Sequence, residues 1–264
     1  MDIVLISIVI LVMIILVIAF LVSKQKSTVI VAQPLPGNLS EILLQQVEFY
    51  QQLDASRKLV FESRVQRFLA AVRITGVNTT VEDLDRVLVA ASAIIPIFAF
   101  PDWEYMNLHE VLIYPDSFND TFQQQGSDRD TLGVVGTGAY QNIMILSQHE
   151  LRQGFLNKTG KSNTAIHEFI HLVDKTDGAT DGIPEVIMSN AYIIPWLELV
   201  RKNIEAIRES ESDINPYAAT NQAEFFAVVS EYFFERPDLL RSKHPQLYEL
   251  LVKIFRQQPP DPEI

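Results

Sequence analysis

The sequence predicts an α+β domain, mostly α-helical with a small sheet, preceded by one N-terminal transmembrane helix. Three observations carry that prediction. Apolar residues recur at helical spacing over most of residues 39–95 and again over 185–255, the one-sided pattern of helices packed on a core. Between these stretches lie two short β-rich runs, Glu110–Tyr114 and Asn142–Ser147, bounded by turn formers. Ahead of everything, Ile3 to Val22 are twenty consecutive residues with only Ser7 polar, the length that crosses a bilayer as a helix.

A cleaved signal peptide fits that first run poorly. No basic residue precedes it, it is long, and no small-residue cleavage site follows. Asp2 lies before the run and Lys24 and Lys26 after it, so the positive-inside rule places the following domain on the cytoplasmic side. The expectation is a single-pass cell-membrane protein: residues 1–26 as anchor, 27–38 as linker, with Gln33-Pro-Leu-Pro-Gly-Asn38 its turn-rich part, and 39–264 as the working domain.

Residues 39–72 read as two helices with a break near Asp54-Ala55-Ser56. Thr80-Val-Glu-Asp83 is a capping-box pattern opening a third helix, apolar through Leu84, Val87, Leu88 and Ala91 and ended near Ile95 by Pro96. The strand Glu110–Tyr114 stops at Pro115. Ser117 to Asp130 is polar and loop-like. Gly133-Val-Val-Gly-Thr-Gly138 lacks the lysine of a phosphate loop and reads as a turn before a strand. That strand, Asn142–Ser147, leads into a helical turn over Gln148–Gln153. It could present a sheet edge along which an extended peptide lies, or it could be interior. After residue 185 the pattern is helical again, interrupted at Pro195, with a last helix around Leu247–Phe255.

The chemistry concentrates at Thr164-Ala-Ile-His167-Glu168-Phe-Ile-His171-Leu-Val-Asp174. This is H-E-x-x-H. Positions i and i+4 share a helix face, so His167 and His171 aim imidazole nitrogens at one point, and Glu168 reaches a water there as a general base. Asn163 or Ser162 caps the helix start. The alternative is a surface helix with two solvated histidines. The chain has five histidines in all and places two of them here, which argues against it. Cysteine is absent, which excludes thiolate sites and disulfides, and the net charge of −12 argues against nucleic acid as a partner.

A catalytic metal needs a third protein ligand. Asp177 stands six residues past His171, but the class with a ligand there has a glycine where this chain has Asp174. Glu185 and Glu198 on the following segment are a second choice. The favoured ligand is Glu224, in the first turn of an apolar, aromatic helix. It shares a stripe with Glu231, and two carboxylates on such a helix are costly to bury without a cation. The bland reading of Glu224 is half of a capping box with Asn221; that of Glu231 is a solvated face. Asp174, one turn past His171, orients a ligand imidazole or ends the helix in solvent.

Four segments together carry a resemblance: His109–Phe118, His167–Asp174, Asp177–Pro184 and Asn215–Phe234. On them the chain resembles the Mlc titration factor A family of zinc peptidases and, more distantly, the catalytic domain of anthrax lethal factor. The resemblance implies a gluzincin-like metallopeptidase fold over residues 39–264. It also implies Zn2+ on His167, His171 and Glu224, Glu168 as base and Tyr217 near the metal. The implied activity is peptide-bond hydrolysis with a zinc-activated water, aminopeptidase or endopeptidase not resolved, on a peptide or protein substrate. A protein regulator, the glucose-regulon repressor, is the partner it suggests; the N-terminal apolar run departs from the family's soluble members. The rival class is a zinc-containing regulator-binding protein with weak or vestigial hydrolysis. An intact Glu168 and Tyr217 favour the enzyme, since structural zinc needs neither and fills all four positions with protein.

Overall fold

Asp54 and Glu82 mark where the chain turns from loop to helix in the first half of the domain. The Asp54 carboxylate accepts the Arg57 N–H at 2.9 Å, so the break expected there is a helix cap. The computed structural model describes residues 33–117, 133–135, 142–157 and 159–259. Within them run α1 (Leu39–Gln46), α2 (Glu48–Gln51), α3 (Ala55–Ala71), β1 (Arg73–Gly76) and α4 (Asp83–Ile97), then β2 (Glu110–Tyr114), β3 (Gly133–Val135) and β4 (Ile143–Ser147). The second half holds α5 (Gln148–Leu156), α6 (Thr164–Asp174), α7 (Asn190–Arg208), α8 (Gln222–Glu235), α9 (Pro237–Lys243) and α10 (Pro245–Phe255). The described residues fall within one compact unit, Ala32–Ile264.

The fold class holds as mostly helical with a small sheet, but its membrane part is corrected. Among the described residues no helix is long and apolar enough to cross a membrane. The longest, α7, has 19 residues and carries Glu198, Arg201, Lys202 and Glu205, charges that a bilayer core excludes. The run Ile3–Val22 lies outside the described residues. The expected single-pass localisation, its cytoplasmic orientation and the membrane as a partner are therefore not supported.

The capping box of α4 sits two residues later than the sequence suggested. Glu82 is the cap, and the Glu82 N–H donates to Asp85 at 2.9 Å. Asp85 is fully buried and needs donors; Arg152 at 2.7 Å and Gln148 at 2.8 Å provide them from α5. Pro96 falls inside the last turn rather than ending the helix. Helix α7 starts at Asn190 and runs through Pro195.

Strand order is β1-β2-β4-β3. The first three pair parallel, and β3 runs antiparallel to β4 with Gly133 opposite Leu146. So β4 is interior, and the edge belongs to β3, whose glycine-rich start the sequence reading took for a turn. Helix α6 packs against α4, α8 and β3. On α6, Phe169 meets Phe68 at 5.7 Å and Tyr105 at 5.2 Å. On α8, Phe225 and Phe226 meet Trp196 at 5.8 and 5.6 Å, and Phe226 meets Phe255 at 5.9 Å. Each such buried ring contributes about 2–3 kcal/mol of transfer free energy, so α6 is anchored on α3 and Tyr105, and α8 on α7 and α10, while the two helices also pack on each other.

Candidate metal centre

The seam between α6 and α8 brings together residues 57 and 64 positions apart in the chain. Asn163 opens α6, its side chain accepting the Ile166 N–H at 3.2 Å. Asn221 opens α8 in the same way, accepting the Glu224 N–H at 2.9 Å. Glu224 is thus part of a helix cap through its backbone and still free to aim its carboxylate at α6. His167 Nε2 lies 3.0 Å from Glu224 Oε2, His171 Nε2 lies 3.0 Å from His167 Nε2, and His171 Nε2 lies 3.4 Å from Glu224 Oε2.

Behind His167 stands Glu231. Its Oε1 is 2.6 Å from His167 Nδ1, and its Oε2 accepts the Asn163 N–H at 2.7 Å. That contact holds the hydrogen of neutral His167 on Nδ1 and turns the Nε2 lone pair toward Glu224 and His171. Asn163 also donates its side-chain N–H to Glu235 at 3.0 Å, a role the sequence reading missed because nothing near position 163 signals it. Burial pushes the Glu235 carboxyl up to about 8.

Three lone pairs facing one another at this spacing repel unless a cation lies between them. Donors about 3.3 Å apart are what a tetrahedral ion with bonds of about 2.0–2.1 Å requires. Two imidazole nitrogens and one carboxylate oxygen therefore fit a small divalent metal ion, and among the described residues this is the group of His, Asp and Glu side chains that could hold one. Without an ion, a proton fills the role. Burial disfavours charge on His167, yet hydrogen bonds to Glu224 and Glu231 outweigh it and push its pKa up to about 10. Burial likewise raises Glu224, but the hydrogen bonds of His167 and His171 bring it down to about 2.

Glu168 is 6 % exposed. Burial raises its pKa, against the lowering pull of His167 and His171, which suits a group that accepts and returns a proton. The edge strand passes directly over it: a Cβ on Gly133 would meet Glu168 Cγ at 2.8 Å and Oε1 at 2.9 Å. Gly133 opens the glycine-rich run whose composition predicts a turn, and it stands on the edge strand β3. Tyr217 stands at the rim, 53 % exposed, its ring 6.1 Å from that of His167. Burial raises its hydroxyl pKa, with Glu224 and Glu168 adding to the effect.

The other candidate ligands lie elsewhere. Asp177 accepts the N–H groups of Ala179 and Glu185 at 3.0 and 3.2 Å, and Glu185 and Glu198 are exposed. Asp174, fully buried, accepts the Gly182 N–H at 2.9 Å. Its other oxygen and His171 Nδ1 are both buried without a hydrogen-bond partner among the described residues. Burial pushes the Asp174 pKa up to about 6.

The family model of the glucose-regulated metallo-peptidase M90 matches residues 21–256. An uncharacterized protein of Synechocystis sp. is 30 % identical over 240 residues, covering 86 % of each chain. Mlc titration factor A of Pectobacterium atrosepticum is 29 % identical over 179 residues, covering 62 % of this chain and 65 % of its own length. Mlc titration factor A of Yersinia pestis is 30 % identical over 167 residues, 57 % of this chain and 59 % of its own. A triad able to hold a metal, on an H-E-x-x-H helix, stands within the matched span, and the chain belongs to the glucose-regulated metallo-peptidase M90 family.

Proposed function

We propose that residues 39–264 form a zinc metallopeptidase domain, with His167, His171 and Glu224 as the metal ligands and Glu168 as the general base. The observation that carries this reading is the convergence of three donor atoms 3.0–3.4 Å apart beside a buried carboxylate. Zn2+ held by these residues supplies Lewis-acid chemistry, acidifying water and polarising a carbonyl. The protein's own groups do the rest. Glu231 keeps His167 in the tautomer whose Nε2 is free to bind. Glu168 takes a proton from the attacking water and returns it to the leaving amine nitrogen. Tyr217, its phenol held protonated by burial and by the neighbouring carboxylates, donates a hydrogen bond to the oxyanion that forms on the scissile carbonyl. The outer edge of β3, the end of the sheet among the described residues, lies against Glu168 and offers backbone groups to an extended peptide.

A second reading draws on the name of the relatives, Mlc titration factor A, which refers to the titration of Mlc. On it, this chain is a regulator-binding protein whose metal site shapes a docking surface. One set of measurements separates the two: metal content by mass spectrometry and hydrolysis of a fluorogenic peptide library, for the parent, Glu168→Gln and Glu224→Ala. The peptidase reading expects about one zinc in the parent and in Glu168→Gln, loss of zinc in Glu224→Ala, and loss of hydrolysis in both variants, by about 10²–10⁴-fold for the base alone. Full hydrolysis by Glu168→Gln overturns the role of the base. A parent that binds zinc and cleaves nothing moves the reading to the binding protein.

A further inference from the structure

Asp174 sits one turn past His171 and makes no hydrogen bond to its imidazole among the described residues. Its carboxylate instead accepts the N–H of Gly182 at 2.9 Å, from a loop eight residues on. The carbonyl of the same glycine accepts the indole N–H of Trp196 at 2.7 Å. Trp196 is fully buried on α7 and packs its ring on Phe225 and Phe226 of α8. Gly182 is thus held at both of its backbone polar groups, one by the end of α6 and one by α7.

Its third neighbour is the start of α8. Gly182 has φ +77°, in the left-handed region, and a Cβ there would meet the carbonyl oxygen of Gln222 at 2.3 Å, its carbon at 2.6 Å and the nitrogen of Ala223 at 3.1 Å. Those atoms are backbone, which does not yield as a side-chain end does. Gln222 and Ala223 are the two residues before Glu224. So the backbone of one glycine fills the gap between the end of the helix that carries His171 and the start of the helix that carries Glu224.

We infer that Asp174, Gly182 and Trp196 are positioning residues for the metal centre: they form a clamp that sets the distance between the histidine helix and the glutamate helix. The inference rests on the metal-binding reading of His167, His171 and Glu224. Asp174 acts through the Gly182 N–H, the hydrogen bond its carboxylate makes among the described residues. Supporting groups around a metal site typically change affinity by about 10–100-fold when removed, and a clamp of this kind falls in that range.

The test measures zinc affinity of the full chain by competition with a chromogenic chelator, with circular dichroism and thermal unfolding alongside. Gly182→Ala is expected to weaken zinc binding by about 10–100-fold while the helical spectrum is kept. Asp174→Ala is expected to weaken it in the same way, whereas Asp174→Asn, which keeps an acceptor for the Gly182 N–H, restores affinity to near that of the parent. Phe61→Leu, in the Phe49–Phe98 cluster away from these residues, serves as a stability control: it lowers the melting temperature and leaves zinc affinity unchanged. Gly182→Ala with parental affinity overturns the clamp. So does a Phe61→Leu variant that loses affinity in step with its stability, or an Asp174→Asn variant as weak as Asp174→Ala. Should Gly182→Ala fail to fold, the two Asp174 variants decide the matter. A parent that takes up no zinc overturns the metal-binding reading itself, a result separate from zinc uptake that the clamp variants leave untouched.

Discussion

Neighbouring residues of α8, Glu231 and Tyr232, serve two carboxylate–histidine clusters of opposite character. Tyr232 donates its hydroxyl to Asp213 at 2.9 Å, and the same carboxylate takes Lys161, Lys243 at 3.0 Å and His244 at 2.7 Å. Glu231 takes His167 and the Asn163 N–H, in a cluster that also contains Glu224 and has Glu168 beside it. The first cluster brings its own cations. In the second, the ion-pair partners of Glu224 and Glu231 among the described residues are histidines, which are positive only by taking up a proton. Fixed lysines make the Asp213 cluster complete as folded. Its counterpart gains positive charge only by protonating a histidine or by taking up an ion from outside, and that difference separates a structural knot from a candidate metal centre.

Metal addition breaks the comparison most sharply. Zinc at about 1,000 times its Kd should add about 4 kcal/mol to folding stability, or roughly 8–16 °C in Tm. Chelator should reverse the shift, and Glu224→Ala should abolish it. The Asp213 cluster should not respond: an Asp213→Asn variant is expected to show the same zinc-induced gain. A next effect is that of Asp213→Asn itself. Leaving Lys161, Lys243 and His244 around a neutral amide should cost about 1–3 kcal/mol in urea unfolding, with zinc affinity unchanged.

Crowding of Glu168 sharpens the contrast on the catalytic side. Gly133→Ala places a methyl group within 3 Å of the Glu168 carboxylate, and we expect hydrolysis to fall about tenfold, close to 1.4 kcal/mol. The zinc content should stay at the parental level, because Glu168 is not among the ligands. Parental hydrolysis in Gly133→Ala would show that β3 gives way and does not position the base.

The smallest effect is in acid. Burial raises the Asp213 pKa, but the hydrogen bonds of Lys161, His244, Lys243 and Tyr232 outweigh it and hold the carboxyl well below its ordinary range. A folded pKa below the unfolded one stabilises above the ordinary value of about 3.9 and is lost as pH falls through the folded pKa. The stability gap between the chelator-treated parent and Asp213→Asn should therefore be full at pH 7 and narrow as pH drops below about 4. A gap that widens in acid would reverse the sign of the Asp213 contribution.

Much of this arrangement is legible along the chain, for reasons that differ from residue to residue. His167, Glu168 and His171 announce themselves because helical spacing alone puts them on one face. Residue type and a shared stripe single out Glu224 and Glu231, although Asp177, Glu185 and Glu198 remain open as ligands until the fold is known. Asp174 also holds Gly182, a partner that no local pattern encodes. The cap of α4 moved because Asp85 answers to Arg152, 67 residues away. Gly133 was misplaced because three residues are too few to show strand periodicity.

By itself, the sequence determined the helical character of the domain, the H-E-x-x-H histidine pair with its glutamate on one helix, and the absence of thiolate chemistry. These follow from local spacing and composition, which the chain carries without reference to its other parts. Only the tertiary structure brings Glu224 rather than Asp177 to the two histidines, puts β3 rather than β4 at the sheet edge, and sets a glycine backbone between the end of α6 and the start of α8. Each of those depends on which apolar faces pack together. Side chains 57 residues apart come within 3.0 Å of each other because α6 and α8 pack together in one core, in which Phe169, Phe225 and Phe226 are fully buried.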